Sequence, residues 1–427
     1  MGGKKLDKTL LSNTFFLYLL TFSSRLFSLA TVPYLTRILG AVTYGKTGIA
    51  LAYMSYVAII MDLGFILSGT QKVVNHKNDI LYISKLICSV ALIKFLLGIL
   101  VSAIFTAYIL CNPNMRYDFW FYFFYLAAFI VNAFLPDFYY RGIEKMKVIT
   151  YRTLAVKTIF TVLIFILVKD DRDYWLIPLI TLLGNALALI IMYYDLKKNY
   201  GIRFCRASLS EVWQITKDTL PFFASRIAST VYQALNTIIL SFVYGNSPII
   251  GYYTSVDKIV SLSKTVSSPL ADSLYPYMLR EKDFKTVKRL LIKTMPVIII
   301  GTLIIFIYAK LLCIFLFGRE YASAGNILRC LLPIIVVILP TYLLCFPVMV
   351  PLGLSKYANM SNIVGMGIQI IGLVILIFTD NINVYSICIM SSVTEVCVFL
   401  FRLAAVLVYR QRIRHKRYFR YTENSIS

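Results

Sequence analysis

Acidic residues are scarce in this chain: 20 Asp and Glu stand against 43 Lys and Arg in 427 residues, a formal net charge of +23. Histidine is scarcer still. His76 and His415 lie far apart in basic segments, which excludes a His-based metal centre or catalytic triad assembled around them. The eight cysteines form no CxxC pair, so neither a disulfide framework nor a zinc site is expected, and they read as small buried apolar residues. No glycine-rich loop ending in Lys is present, so ATP hydrolysis by this chain is not expected. With only 15% charged residues, 59% hydrophobic residues and a mean hydropathy of +0.76, the chain also lacks the polar surface of a soluble globule. Its surface is expected to face lipid.

What is abundant is the apolar run. A segment of roughly 20 mainly apolar residues is needed to cross a hydrocarbon core. Such segments recur near 14–33, 47–69, 86–109, 117–137, 150–168, 174–193, 219–243, 250–272, 291–316, 327–352, 359–378 and 383–408. An all-α polytopic membrane protein of about twelve spans is therefore expected. The opening MGGKKLDKTLLSNTFFLYLL reads as the first span and not as a cleaved signal, because Arg25 interrupts the apolar stretch and no small-residue cleavage site follows. Gly2 does not fit a myristoylation signal, since Leu6 stands where Ser or Thr is wanted.

The positions of the cations set the topology. Loops on the side of the N-terminus hold 28 Lys and Arg against 8 on the other, so both termini are expected in the cytoplasm. Span eight, 250–272, is the weakest on hydropathy; dropping it would place the Arg280–Lys293 cluster and the RQRIRHKR tail outside, against the charge bias. That tail directly follows a span and reads as an anchor to anionic lipid, so no nucleic acid is expected as a partner. Trp120 and Trp175 are expected at the outer interface and Trp213 near the inner one.

The longest inner connection divides six spans from six. The expected organisation is a six-helix lobe at 1–195, a basic cytoplasmic linker at 196–218, a second six-helix lobe at 219–409 and a basic tail at 410–427. A faint repeat crosses the linker: Gly40-x4-Gly45 in the first half and Gly245-x5-Gly251 in the second. Six plus six spans starting in the same orientation imply parallel repeats, with substrate held near the midplane between halves. The alternative for the glycines is a pair of ordinary tight turns.

Around these turns stands Pro33-Tyr34-Leu35-Thr36-Arg37-Ile38-Leu39-Gly40, followed by Tyr44-Gly45 and Asp62-Leu63-Gly64-Phe65. This stretch resembles the opening signature of the Wzx-type polysaccharide flippases, and Gly245-x5-Gly251-Tyr252-Tyr253 resembles that family's second-half turn. Pro33, Arg37, Gly40 and Gly45 carry the motif. The resemblance implies a two-lobed fold of the multidrug/oligosaccharidyl-lipid/polysaccharide exporter superfamily in a bacterial inner membrane. It also implies carriage of undecaprenyl-diphosphate-linked oligosaccharide repeat units to the periplasmic leaflet without a cofactor. Polysaccharide polymerase and chain-length proteins are its expected protein partners.

Charges at bilayer depth cost on the order of 2.5–3.5 kcal/mol each by insertion scales, so each needs a reason. The cations there are Arg25, Lys94, Lys157, Arg226, Lys258, Lys264 and Arg402; the acids are Asp62, Asp257 and Glu395, with Asp272 near an inner end. Even complete pairing leaves a positive surplus, which a diphosphate would need. Arg25 shares a helical face with Tyr18, Thr21 and Ser28, Arg226 with Ser229, Gln233 and Asn236, and Lys264 with Asp257, Ser261 and Ser268. Arg25, Arg226, Lys264, Lys258 and Lys94 are thus the candidate substrate-binding cations, the alternative for the stripes being interhelical hydrogen bonds. Lys94, Lys157 and Arg402 could instead snorkel to the interface. Asp62 is either a coupling-ion site or the salt partner of Arg25 or Lys94; Asp257 and Glu395 carry the same pair of readings. Glu395 and Arg402, seven apart on one face, are expected to pair.

The expected function is a flippase working by alternating access on an ion gradient or the membrane potential. A drug or metabolite exporter of the same superfamily is the second reading. A membrane polysaccharide polymerase or ligase is the third, disfavoured because no outer loop is long enough to carry a catalytic site.

Overall fold

In hydrocarbon every backbone N–H and C=O must be paired within the chain, which leaves helices or a closed barrel. The computed structural model describes residues 8–423 apart from 204, 206 and 207. Side chains are described over that range except at 8–14, 17, 24–26, 28–29, 209, 221–222, 224–233, 269, 273, 276 and 410–423. Among the described residues the chain is helical and has no strand. Two compact units are formed, Met1–Thr254 and Ser255–Ser427.

The first unit contains α1 (Lys8–Asp62), α2 (Phe65–Asn75), α3 (Ile80–Cys111), α4 (Pro113–Arg116), α5 (Phe119–Ala133), α6 (Asp137–Gly142), α7 (Met146–Leu167), α8 (Leu176–Tyr200), α9 (Leu209–Tyr244) and the start of α10 (Pro248–Glu281). The second unit continues α10 and adds α11 (Phe284–Phe317), α12 (Ala324–Leu343), a π-helical turn at Leu344–Met349, α13 (Ser355–Phe378) and α14 (Val384–Glu423).

Nine segments among the described residues are long and apolar enough to cross a membrane, and one of them, Ala30–Asn75, runs for 46 residues. α9 and α10 are helices at the seventh and eighth expected spans, and among their described residues Ala234–Tyr244 is a shorter apolar stretch. The Ser, Thr, Asp and Lys interleaved along them dilute their hydropathy. Lipid-facing character is plain on α11, where Val297, Ile307 and Phe315 are 71%, 65% and 72% exposed. In water such a face would be an aggregation site; in a bilayer it is solvated. Trp120, Trp175 and Trp213 are exposed, as anchors at a lipid–water boundary would be.

The chain turns where backbone conformation requires it. At Gly40 (φ 68°, ψ 173°) α1 bends out of helical geometry, a conformation open to glycine because it has no Cβ. Gly45 and Gly251 lie back to back: a Cβ on Gly45 would sit 2.9 Å from the Gly251 backbone nitrogen, and one on Gly251 would run into the Ala41 carbonyl. The two motif glycines on either side of the faint repeat are therefore a close backbone contact, beyond the needs of a tight turn. Tyr34 of the same motif places its hydroxyl 2.7 Å from the Val168 carbonyl, closing the end of α7. Nearby, Asp118 takes Lys46 Nζ at 2.6 Å and the Tyr174 hydroxyl at 2.6 Å, tying together the starts of α5 and α8.

Candidate functional site

Two helices of the first unit are broken. Between α1 and α2 the chain passes through Leu63 (φ 44°) and Gly64 (φ 83°), both left-handed. For Leu63 that conformation costs about 1–2 kcal/mol. Between α5 and α6 the break runs over Phe134, Leu135 and Pro136, where the proline ring cannot continue a helix. The stretch 47–69, expected as one span, is thus two helical pieces with Asp62 at the end of the first.

Broken helices expose the partial charges of their ends, positive at an N-terminus and negative at a C-terminus. The side chains match them. Asp62 Oδ1 accepts from Ile66 N at 3.3 Å in the first turn of α2. Asp137 opens α6 and is gripped by both terminal nitrogens of Arg152. Lys94, midway along α3 and only 5% exposed, donates from Nζ to the Ala133 carbonyl at the end of α5. Its ammonium lies 5.7 Å from the ring centre of Phe65, the first residue of α2. These groups border a cavity of about 370 Å³ whose polar lining includes Ser55, Asp62, Lys94, Asn132 and Asp137. One lysine therefore touches both breaks beside a polar space.

In the second unit Lys264 and Glu395 form an ion pair at 2.7 Å. Glu395 thus pairs across helices and not with Arg402, correcting the expectation drawn from their spacing along one helix. Arg402 does not snorkel either: it is 5% exposed and donates to Ser361 Oγ, the Thr341 carbonyl and Asn362 Oδ1, each at 2.8 Å. The Thr341 carbonyl is also approached by Leu344 N, where α12 widens into the π turn containing Pro347. The guanidinium thus supplies a donor where the helical ladder changes register. Asp257 is exposed and Lys258 half-buried, with no ion pair at either among the described residues.

Sequence reading found Asp62, Lys94, Lys264 and Glu395 as charges at depth, and the structure brings them together in two pairs of neighbours. It missed Asp137, Arg152 and Asn132, although Pro136 next to an acid was a legible signal of a break. Of the polar stripes, Asn236 is buried and donates to the Tyr253 hydroxyl at 3.3 Å, and Ser268 donates to Asp272. Arg25, Ser28, Arg226, Ser229, Gln233 and the basic tail lie outside the described side chains.

Known proteins resemble this chain in sequence and in fold. The family model described as polysaccharide biosynthesis protein matches residues 10–282. A Shigella dysenteriae protein named "Putative O-antigen transporter" is 25% identical over 401 residues, covering 92% of this chain and 99% of that relative. Among solved structures, the fold is similar to an inward-facing multidrug resistance MATE family transporter of the MOP superfamily. That likeness has a TM-score of 0.66 at 13% identity, over 93% of this chain and 98% of that one. It is also similar to the lipid II flippase MurJ in an inward closed conformation (TM-score 0.63, 14% identity, 91% and 87% covered). The all-α, multi-pass membrane fold and the resemblance of the opening motif agree with this match, and the chain belongs to the polysaccharide biosynthesis protein family.

Proposed function

We propose that this chain moves undecaprenyl-diphosphate-linked oligosaccharide repeat units from the cytoplasmic to the periplasmic leaflet of a bacterial inner membrane. The observation that carries the reading is the relative named as an O-antigen transporter, matched along nearly its whole length. The likeness to a multidrug transporter is one of fold and does not favour drug export. Twelve spans in two six-helix lobes at 1–195 and 219–409, cytoplasmic termini and the absence of enzymatic activity belong to the same proposal.

Each proposed diphosphate ligand rests on its own footing. Arg25 and Arg226 fall at helical spacing from polar residues in the sequence and would offer bidentate donors to phosphate oxygens. Lys258 is half-buried, at a depth in the chain where a cation would serve a diphosphate. Lys264 already holds Glu395, so it would bind an anion only as part of that pair. The sequence has no glycine-rich phosphate loop with Lys, so the driving force is read as an ion gradient or the membrane potential, worth about 2.3 kcal/mol per charge per 100 mV.

Deleting the gene should leave lipid-linked repeat units accumulating on the cytoplasmic leaflet with surface polysaccharide lost. Arg25→Gln and Arg226→Gln should reproduce that phenotype at normal membrane abundance. Surface polysaccharide at full level in the deletion strain would contradict the proposal.

A further inference from the structure

The cavity between the broken helices resembles a ligand set for a small cation more than one for a phosphate. The carbonyl of Ala133 ends a half-helix, where backbone oxygens carry negative partial charge. Asp62 and Asp137 both line the same space, Asp137 held by Arg152, and both carboxylates act electrostatically on Lys94. In broken-helix transporters, carbonyls at half-helix C-terminal ends coordinate monovalent ions. Here the position beside that carbonyl holds the Lys94 ammonium, a compact point charge of similar size on a flexible stem. A diphosphate at this place would face Asp62 and Asp137, and the lysine that lines it among the described residues, Lys94, is already bound to the Ala133 carbonyl.

We propose that Lys94 is a tethered cation: its ammonium permanently fills a small-monovalent-cation position between the two broken helices, and removing it opens that position to a free ion. This goes beyond the transport reading and does not depend on which substrate the chain carries. It also assigns Lys94 a different role from that of a diphosphate ligand. The tether has a consequence for coupling. A wild-type site filled by its own side chain has no need of a dissociable cation there, so holding α2 and α5 in register is constitutive.

Thermal unfolding of the purified full-length chain in detergent tests this, comparing sodium chloride, methylammonium chloride and choline chloride at equal ionic strength. Wild type should unfold at one midpoint in all three salts. Lys94→Ala should unfold earlier in choline and recover most of the loss in sodium or methylammonium, by binding of the ion to the folded state alone. Lys94→Ser, smaller and polar, serves the same comparison if the alanine variant is not recovered folded. The response should disappear when Asp62→Asn is added to either variant. A saturable site for radiolabelled sodium should appear in the variants and be absent from wild type. Midpoints that ignore cation identity in both variants, a wild type that gains as much as they do, or a response that survives Asp62→Asn would each overturn the proposal. None of these readouts involves transport, so failure here and failure of the flippase reading are distinguishable.

Discussion

Lys94 in the first unit and Arg402 in the second carry the same charge and are equally buried, 5% exposed each, yet they are held in opposite ways. Lys94 rests on one carbonyl and an aromatic face, with carboxylates near, beside a polar cavity. Arg402 spends its fork on three neutral acceptors within the packed cluster of Leu343, Met349, Ala358 and Val406. Burial of a charge therefore says little about its role; its partners and the space beside it say more. A guanidinium meeting three neutral oxygens welds a helix irregularity. An ammonium at two helix breaks beside an open volume is placed where an ion could be exchanged for it.

The largest loss is expected at Arg402. Arg402→Leu should strip the guanidinium from Ser361 Oγ and Asn362 Oδ1 and leave the Thr341 carbonyl only its Leu344 N contact, costing about 2 kcal/mol at about 1 kcal/mol for each side-chain acceptor that loses its donor. Membrane abundance should fall with it, and Arg402→Lys should recover only part, since one ammonium cannot reproduce the fork. Abundance of Arg402→Leu near wild type would remove the contrast, as quantified by fluorescence-detected size exclusion.

A middle-sized effect is expected at the partly exposed Lys264–Glu395 pair. Glu395→Gln should cost about 1–2 kcal/mol by leaving the ammonium without its carboxylate, discounted for partial exposure. Adding Lys264→Gln should restore abundance. If Lys264 binds substrate, the restored double variant should still fail to export polysaccharide, whereas a purely structural pair would regain export together with abundance.

The smallest effect belongs to Lys77 and Glu144, an exposed pair at 3.3 Å. Lys77→Gln should shift stability by less than about 0.5 kcal/mol. A larger shift in the thermal midpoint would mean that exposed charges matter here as much as buried ones.

Much of this architecture is legible in the sequence because hydropathy and charge bias are sums over many residues. The apolar runs predict helices at 86–109 and 291–316, and the structure has α3 and α11 there. Local conformation is less legible. Leu63-Gly64 breaks a helix inside an apolar run that reads as one span, because a single glycine does not reveal that its neighbour also turns left-handed. Partner choice is less legible still. Glu395 and Arg402 share a helical face, and spacing along one helix cannot see Lys264, 131 residues away and within 2.7 Å. The Gly45–Gly251 contact lies between these cases: the sequence shows two glycines at similar spacing, and only the structure shows that they meet.

If the proposed function holds, this chain by itself moves a lipid-linked oligosaccharide between leaflets. The most direct measurement reconstitutes the purified protein in liposomes bearing labelled undecaprenyl-diphosphate oligosaccharide and follows its loss of accessibility to an external glycosidase under an imposed ion gradient. Gradient-dependent movement that Arg25→Gln and Arg226→Gln abolish is expected. Accessibility indistinguishable from protein-free liposomes, with the protein folded and the gradient maintained, would contradict it.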